Sequence, residues 1–167
     1  EGKIRKIGDN YLKKQIDISD EILLKDYAIK HRGQNHYQKN IFPRLEQKNR
    51  FKGFIVLDKI KNEIVYLSWI DFKNITIPEI DQNKKLAIKE AYFLDDHCVK
   101  HHQRKGLHNA VFNERLLYCK KTGVKKVFVV IYLNNIRALQ NVKKYNFKLI
   151  NTFTFYPLIK KIKSIKF

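Results

Sequence analysis

Apolar positions along the chain change their period several times, and each change marks a predicted element. Ile4, Ile7, Tyr11, Ile16 and Ile18 make short apolar runs that predict an early strand with irregular structure over residues 3–18. Ser19 ahead of Asp20 and Glu21 predicts a helix start, because a hydroxyl caps free amides and acids suit the positive end of a helix. Leu24, Tyr27, Ala28 and His31 then keep one face. Between residues 33 and 50 the pattern dissolves around Ile41, Phe42 and Pro43, which reads as a loop or a short helix. Residues 51–58 and 63–72 are β-rich runs at the spacing of an antiparallel hairpin, followed by a polar loop at 78–85 and a third extended segment at 86–99. Leu107, Ala110, Val111, Leu117 and Tyr118 recur at helical spacing until Gly123 stops them. An almost unbroken apolar run at 124–133 predicts a strand covered on both faces. Asn134 and Asn135 cap a short helix to about residue 145, residues 147–155 return as a strand, and the tail at 156–167 alternates Ile with Lys as an edge strand or a surface helix. Strands followed by strand, helix, strand, helix, strand make a mixed α/β (α+β) sheet protein.

Composition narrows the class. The 167 residues suit one domain over 1–167, and three Pro with six Gly leave little room for a linker. No run approaches the roughly 18 apolar residues of a membrane span, and the start of the chain lacks a secretory pattern, so a cytoplasmic location is expected. Cys98 and Cys119 are too few for a disulfide framework or a zinc site, and no metal is expected. The strongest bias is charge: 35 Lys and Arg against 16 Asp and Glu give a formal +19, a field that draws anionic acceptors or polyanions. Enrichment in Lys, Asn and Ile together offers compositional drift as the other reading of that charge.

The chemistry concentrates between the third extended segment and the helix that starts near Leu107. Gln103, Arg104, Lys105, Gly106, Leu107, His108 and Asn109 form a strand-to-helix turn, where unpaired amides and partial positive charge receive an anion such as a diphosphate. Gly106 lets phosphates approach the backbone, while Arg104 and Lys105 add cationic charge. His101 and His102 beside His97 and Cys98 do not make a metal set, since neighbours on a strand point to opposite faces.

Gln103-x-x-Gly106-x-His108 resembles the coenzyme A pyrophosphate loop of the GNAT acetyltransferases. Asn135-x-x-Ala138, followed by Lys143-Lys144-Tyr145-Asn146-Phe147, is similar to the family's second signature. Together they cover residues 92–155, and the earlier half matches only in the order of its elements. The resemblance implies a GNAT-like mixed, mostly antiparallel twisted sheet flanked by helices, with a cofactor-binding core at about 90–155 and acceptor-side elements at about 19–85. It implies acetyl-CoA as donor and an amine as acceptor, with a homodimer left open. The resemblance further implies that the strand at 92–99 splays from the one at 124–133, and that the amides of Asp96, His97 and Cys98 bond the donor and polarise its carbonyl. Asn135 belongs to the same cofactor set.

Amine acylation also needs a base. Glu90, Tyr92 and Asp96 share a face by strand alternation, whereas a bulge moves Asp95 or His97 inward instead. Three departures from the family stand out. His108 replaces Gly or Ala and either donates to a phosphate or turns outward; Asn146 replaces Gly, which a left-handed Asn tolerates; and Val142 occupies the position of the usual proton-donating tyrosine, leaving Tyr145 as the nearest substitute. The leading expectation is an acetyl-CoA-dependent N-acetyltransferase acting on a small amine, an amino sugar or a sugar nucleotide among the options. A macromolecular acceptor (protein amine, acyl carrier protein or RNA) and a non-catalytic coenzyme A or nucleic-acid binding module are the alternatives.

Overall fold

The computed structural model describes residues 7–156 and 161–166. The predicted strand at 3–18 narrows to β1 (Tyr11–Gln15), and Ile4 lies outside the described residues. The first helix starts differently from the expectation at Ser19. A single turn at Ile18–Asp20 is capped by Asp17, whose carboxylate accepts from the Ser19 amide at 2.8 Å while Asp20 accepts from the Asp17 amide at 3.0 Å. This reciprocal box satisfies donors at both ends of the turn, and α1 (Glu21–His31) follows directly. Leu24, Tyr27 and Ala28 bury its inner face, as their spacing requires. The polar stretch after Gly33 is helical almost throughout: α2 (Gln34–His36), a wider π turn at Tyr37–Ile41 and α3 (Phe42–Glu46), with Tyr37, Ile41 and Leu45 inward.

Five strands form the main sheet in the order β1, β2 (Phe51–Asp58), β3 (Glu63–Asp71), β6 (Glu90–Cys98) and β7 (Lys126–Val129). All neighbours are antiparallel except β6 and β7. A small hairpin, β4 (Asn74–Ile77) and β5 (Gln82–Lys85), turns at Pro78–Ile80, so its second half occupies the segment 78–85 expected as a polar loop. β4 alternates Ile75 and Ile77 with polar residues but is only four residues long, and β5 is wholly polar and exposed, so neither stands out as a strand. Asp71 fastens the exit from β3. Buried at the strand end, it accepts from Arg50 Nε and Nη2 and from the amides of Lys73 and Asn74. A buried carboxylate is tolerable because so many donors replace its water.

Helices cover both faces. On one, α1 to α3 pack over Phe51, Ile55, Leu67 and Trp69; on the other, α4 (Leu107–Lys121) packs over Phe54, Val56, Tyr66, Ile70 and Phe93. Leu117, expected on the packed face of α4, is exposed. The expected doubly covered strand at 124–133 shrinks to the four residues of β7, an edge strand whose continuation exposes Val130, Tyr132 and Leu133. Asn135 caps α5 (Ile136–Lys143), its Oδ1 accepting from the Ala138 amide at 3.2 Å. Strands β8 (Asn151–Tyr156) and β9 (Lys161–Lys166) pair with each other as a separate antiparallel ribbon, so the tail takes the strand option and begins later than the alternation suggested; residues 157–160 and 167 lie outside the described set.

Gly53 shows how tightly the α1 to α3 face is closed. A Cβ added there meets Ile16 Cδ1 at 2.3 Å and the Trp69 ring at 2.7 Å. Gly53→Ala is expected to lower stability by about 1–3 kcal/mol through overpacking, measured by urea unfolding. An unchanged midpoint would show that the Trp69 indole moves freely.

Candidate functional site

β6 carries the site because it loses a partner halfway along. It pairs with β7 from Glu90 opposite Lys126 to Phe93 opposite Val129, and from Leu94 to Cys98 that edge has no strand partner among the described residues. On its other side the strand stays paired to β3, with a register shift between Leu67 and Trp69. Asp95, at φ 56°, is the extra residue that takes up the shift. This is a β-bulge, and it bends the strand away from β7. Beyond the bulge the Val99 amide donates to Val65 O at 2.9 Å in β3. Alternation then points the Cys98 and Asp96 amides away from β3 and into the gap.

At the far end of the gap the chain turns into α4. Arg104 (φ 63°) and Gly106 (φ 80°) are both left-handed, and Gly106 stands at the helix N-cap without a side chain over the opening. A Cβ built on Gly106 meets nothing within 4 Å, so the space in front of it is open. Among the described residues, the amides of Arg104, Lys105, Gly106, Leu107, His108 and Asn109 have no acceptor, and the first helical bond from this turn is Ala110 N to Gly106 O at 3.1 Å. Such a run of free donors at a helix start is an anion site in waiting. Leu107 is buried and fixes the first turn in the core. Gln103 Nε2 reaches back to Cys98 O at 3.3 Å, and Lys105 Nζ donates to Tyr11 Oη at 3.1 Å, whose hydroxyl in turn lies 2.9 Å from His102 Nδ1. His101 and His102 sit in a short helical turn rather than on a strand, and no metal-binding group occurs among the described residues.

The bulge redistributes the charged residues of β6. Asp95 faces α1 to α3, where it accepts from Arg44 Nη1 at 2.6 Å and Arg32 Nη2 at 3.1 Å, with His36 Nε2 at 3.5 Å. Burial favours the neutral acid, but the His36 ring and the guanidinium groups of Arg44 and Arg32 override it and hold the carboxyl well below the usual range. Asp96 takes the opposite face. Its Oδ1 accepts from Tyr66 Oη and from Arg115 Nη2, each at 2.6 Å. Arg115 is 0% exposed, lies 4.3 Å from the Phe93 ring and also donates to Trp69 O at 3.3 Å. His97 returns to the α1 side. Tyr27 Oη bonds His97 Nδ1, the donor in that pair being set by the imidazole tautomer, and lies 3.4 Å from His97 O. Burial and the nearby Arg32 lower the His97 pKa, keeping the ring neutral.

No protein-family model matches this chain, and no curated protein matches it in sequence. Solved structures do match its shape. It is similar to AAC(6')-Iy in complex with the bisubstrate analogue CoA-S-monomethyl-acetylneamine, at TM-score 0.66 and 7% identity over 87% of this chain and 96% of that one. An aminoglycoside acetyltransferase from an uncultured soil metagenomic sample, in complex with trehalose, matches at TM-score 0.62 and 17% identity, covering 90% and 98%. A protein from Clostridium acetobutylicum described as a predicted acetyltransferase, with acetyl-CoA, matches at TM-score 0.61 and 13% identity, covering 90% and 98%. The chain has the GNAT acetyltransferase fold.

Within the GNAT fold the other expected residues fall into place unevenly. Glu90, Tyr92 and Asp96 do not share a face, because Asp95 inserts a residue between Tyr92 and Asp96. Glu90 sits at the opposite end of β6, roughly 17 Å along the strand from Asp95, and accepts from the Ala87 amide at 3.0 Å to close its own turn. Tyr92 is buried on the α3 side, and burial with the nearby Glu79 pushes its hydroxyl up to about 12. Tyr145 leans its ring on Phe112 at 4.7 Å, and its hydroxyl donates to Asn109 O at 3.5 Å. The Asn135 side chain is spent on capping α5. His108 neither faces a phosphate nor turns outward: it stacks on Phe112 at 5.6 Å, with Nδ1 buried and unpaired, as is the neighbouring Asn109 Oδ1. Arg115 was missed although spacing marked it, four residues after Val111 and four before Cys119 on the buried stripe.

Burial lowers the His108 pKa against the pull of Asp96. On acidification the unfolded chain therefore takes up this proton first, so stability is full above the ordinary imidazole range and falls as pH drops through it. Between pH 7.5 and 5.5, His108→Phe is expected to flatten the fall in unfolding free energy by up to about 1.4 kcal/mol per pH unit, the limit for one proton. Urea titrations across that range decide it; identical slopes in both proteins would mean that His108 titrates alike folded and unfolded.

Proposed function

We propose that the chain is an acetyl-CoA-dependent N-acyltransferase that passes the acyl group to a small amine by direct attack. One observation carries this reading: a β-strand with a free, bulged edge that runs into a helix start whose amides are unbonded. The two parts match the two ends of such a donor. Amides of residues 104–109, with Gly106 leaving the approach clear and Arg104 and Lys105 beside it, suit its diphosphate. The Cys98 and Asp96 amides, aimed into the gap, suit its acyl oxygen, where negative charge develops as nitrogen attacks. Coenzyme A chemistry named for structures of the same fold supports the choice of donor.

The bound thioester supplies an activated acyl carbon, and the remaining work falls to the protein. Burial pushes the Cys98 thiol up to about 11, which keeps it protonated and unsuited to form an acyl-enzyme. Direct attack within a ternary complex is the route left. An ammonium acceptor must lose a proton, and His97, half-buried beyond the bulge with its pKa lowered, is the base this arrangement supports better than Glu90 or Asp96. Tyr92, well above neutrality, acts as a hydrogen-bonding wall. Val142 packs among apolar neighbours and offers no proton, so the departing thiolate takes one from water. A cavity of about 250 Å³ between α3 and the start of β2 gives the acceptor a size: a small molecule.

Calorimetric titration with acetyl-CoA tests the donor site directly. Gly106→Val is expected to weaken binding at least tenfold, since a branched side chain at positive φ both strains the turn and fills the open approach; wild-type protein that shows no binding at roughly millimolar acetyl-CoA would end the reading. For the base, His97→Ala is expected to lower kcat about 10²-fold while leaving acetyl-CoA affinity unchanged, with turnover read as thiol release. The acid limb of kcat/KM should bend below the ordinary imidazole range in wild type and vanish in the variant, since neutral His97 is the active form and its pKa is lowered. An unaltered pH profile removes His97 from the mechanism.

A further inference from the structure

We infer that the amine acceptor carries an anionic group, a carboxylate or a phosphate, seated against Arg44 in the cavity beside the bulge; this rests on the transferase reading above. The cavity, about 250 Å³, is lined among others by Ile16, Arg44, Lys48, Phe51, Gly53 and Trp69. Gly53 pairs with Trp69, and Trp69 with Leu94, the residue before the bulge. Two strand spacings, about 10 Å, therefore separate the cavity from the gap in β6. That span fits a small molecule with its amine at the gap and its other end in the cavity.

Arg44 ties the two places together. Its Nη1 donates to Asp95 Oδ2 at 2.6 Å, while its guanidinium carbon lies 5.6 Å from the Trp69 ring and 5.8 Å from the Phe51 ring, both cavity walls. The side chain is only 12% exposed, yet of a guanidinium's donors only Nη1 is bonded among the described residues. The free N–H groups of Arg44 and the ammonium of exposed Lys48 both lie at this cavity, and charged donors of this kind take a carboxylate or a phosphate best.

The countercharge is already taken. Asp95 is shared between Arg44 and Arg32 with His36 beside it, and Asp17, the acid that lines the cavity, accepts from Ser19 and pairs with Lys14 at 3.4 Å. Lys52 also lines the cavity, but its ammonium lies 5.9 Å from the Tyr118 ring on the α4 face. A formal charge of +19 further repels polycations and concentrates anions. The acceptor thus differs in kind from the aminoglycosides named for neighbouring structures.

The test compares matched acceptors under acetyl-CoA with full-length protein, monitored by thiol release: glucosamine against glucosamine 6-phosphate, tyramine against tyrosine, and kanamycin as a polycation. The anionic member of at least one pair is expected to show kcat/KM at least tenfold higher at low salt. The first pair reports a phosphate site and the second a carboxylate site. Arg44→Gln should cut that preference to about threefold or less. Lys48→Glu, on an exposed turn, should weaken it without touching the fold, which keeps the result readable if Arg44→Gln unfolds. Equal or better turnover of the neutral and cationic members overturns the inference while leaving the transferase reading intact. If no member is turned over, thermal stabilisation by glucosamine 6-phosphate or tyrosine in the presence of coenzyme A, lost in Lys48→Glu, still supports it, and its absence overturns it. Failure to bind acetyl-CoA at all identifies the transferase reading as the point of failure instead.

Discussion

The structure turns on one residue out of step. Asp95 sits at φ 56°, a region that costs a side-chain-bearing residue of order 1–2 kcal/mol, and it persists because Arg32, Arg44 and His36 close on its carboxylate. The consequences spread along β6 in both directions. The strand stays paired to β3 but leaves β7, so peptide groups that a continuous sheet would consume face a gap. Side chains after the bulge also exchange faces, sending Asp96 to α4 and His97 to α1. The pairing energy given up along this edge becomes donor capacity for a ligand, which is how a sheet makes a binding site without a dedicated loop.

A free edge in the middle of a sheet would fray unless something else fixed it, and Asp96 is held for that reason. Tyr66 from β3 and Arg115 from α4 converge on its Oδ1, binding the loose segment to both the sheet and the helix. Arg115 is fully buried, so its desolvation is large and the pair need not add net stability. Its contribution is position: without Asp96 the Arg115 guanidinium would be a buried charge alone, so the segment has one low-energy place to be. Asp96 itself keeps a 30% exposed side chain, and that residual solvation distinguishes it from Asp95, which is closed in on every side by cations.

How much of this the amino-acid order revealed depends on whether a feature leaves a periodic trace. The β2–β3 hairpin, α4 with its Gly106 start and Gly123 stop, and the Asn135 cap all do, and they were legible. The β4–β5 hairpin leaves almost none, because the four exposed polar residues of β5 look like a loop and the alternation of Ile75 and Ile77 in β4 is too short to count. The run at 124–133 misled in the opposite direction: apolar residues past Val129 read as buried strand but stay exposed where β7 has lost β6. The bulge, which would turn Asp95 or His97 inward, could be named only as an alternative, for a deeper reason. Ala91 and Phe93 set the inward face before it, and one inserted residue shifts the phase of every later position in the strand without changing composition. Glu90, Tyr92 and Asp96 therefore fell on one face on paper and on two in space. Arg115 was the readable exception. Its four-residue spacing from Val111 and Cys119 places a charge in the packed stripe of α4, and a buried charge implies a partner before any partner is seen.

Charge also acquires a direction that a total cannot give. A formal +19 by itself fits drift toward lysine as well as it fits recognition. Around the site, however, the nearby acids are engaged, Asp95 by Arg32 and Arg44, Asp96 by Arg115, Asp71 by Arg50, and free donors gather in two places: six amides at the α4 start and the remaining N–H groups of Arg44. The first group faces the end of the gap where a diphosphate suits it, and the others lie across the sheet from it. Two donor-rich regions on either side of a free strand edge fit the proposed transfer between two reactants that both bring negative charge, which makes the acceptor side as informative about this chain as the turn into α4.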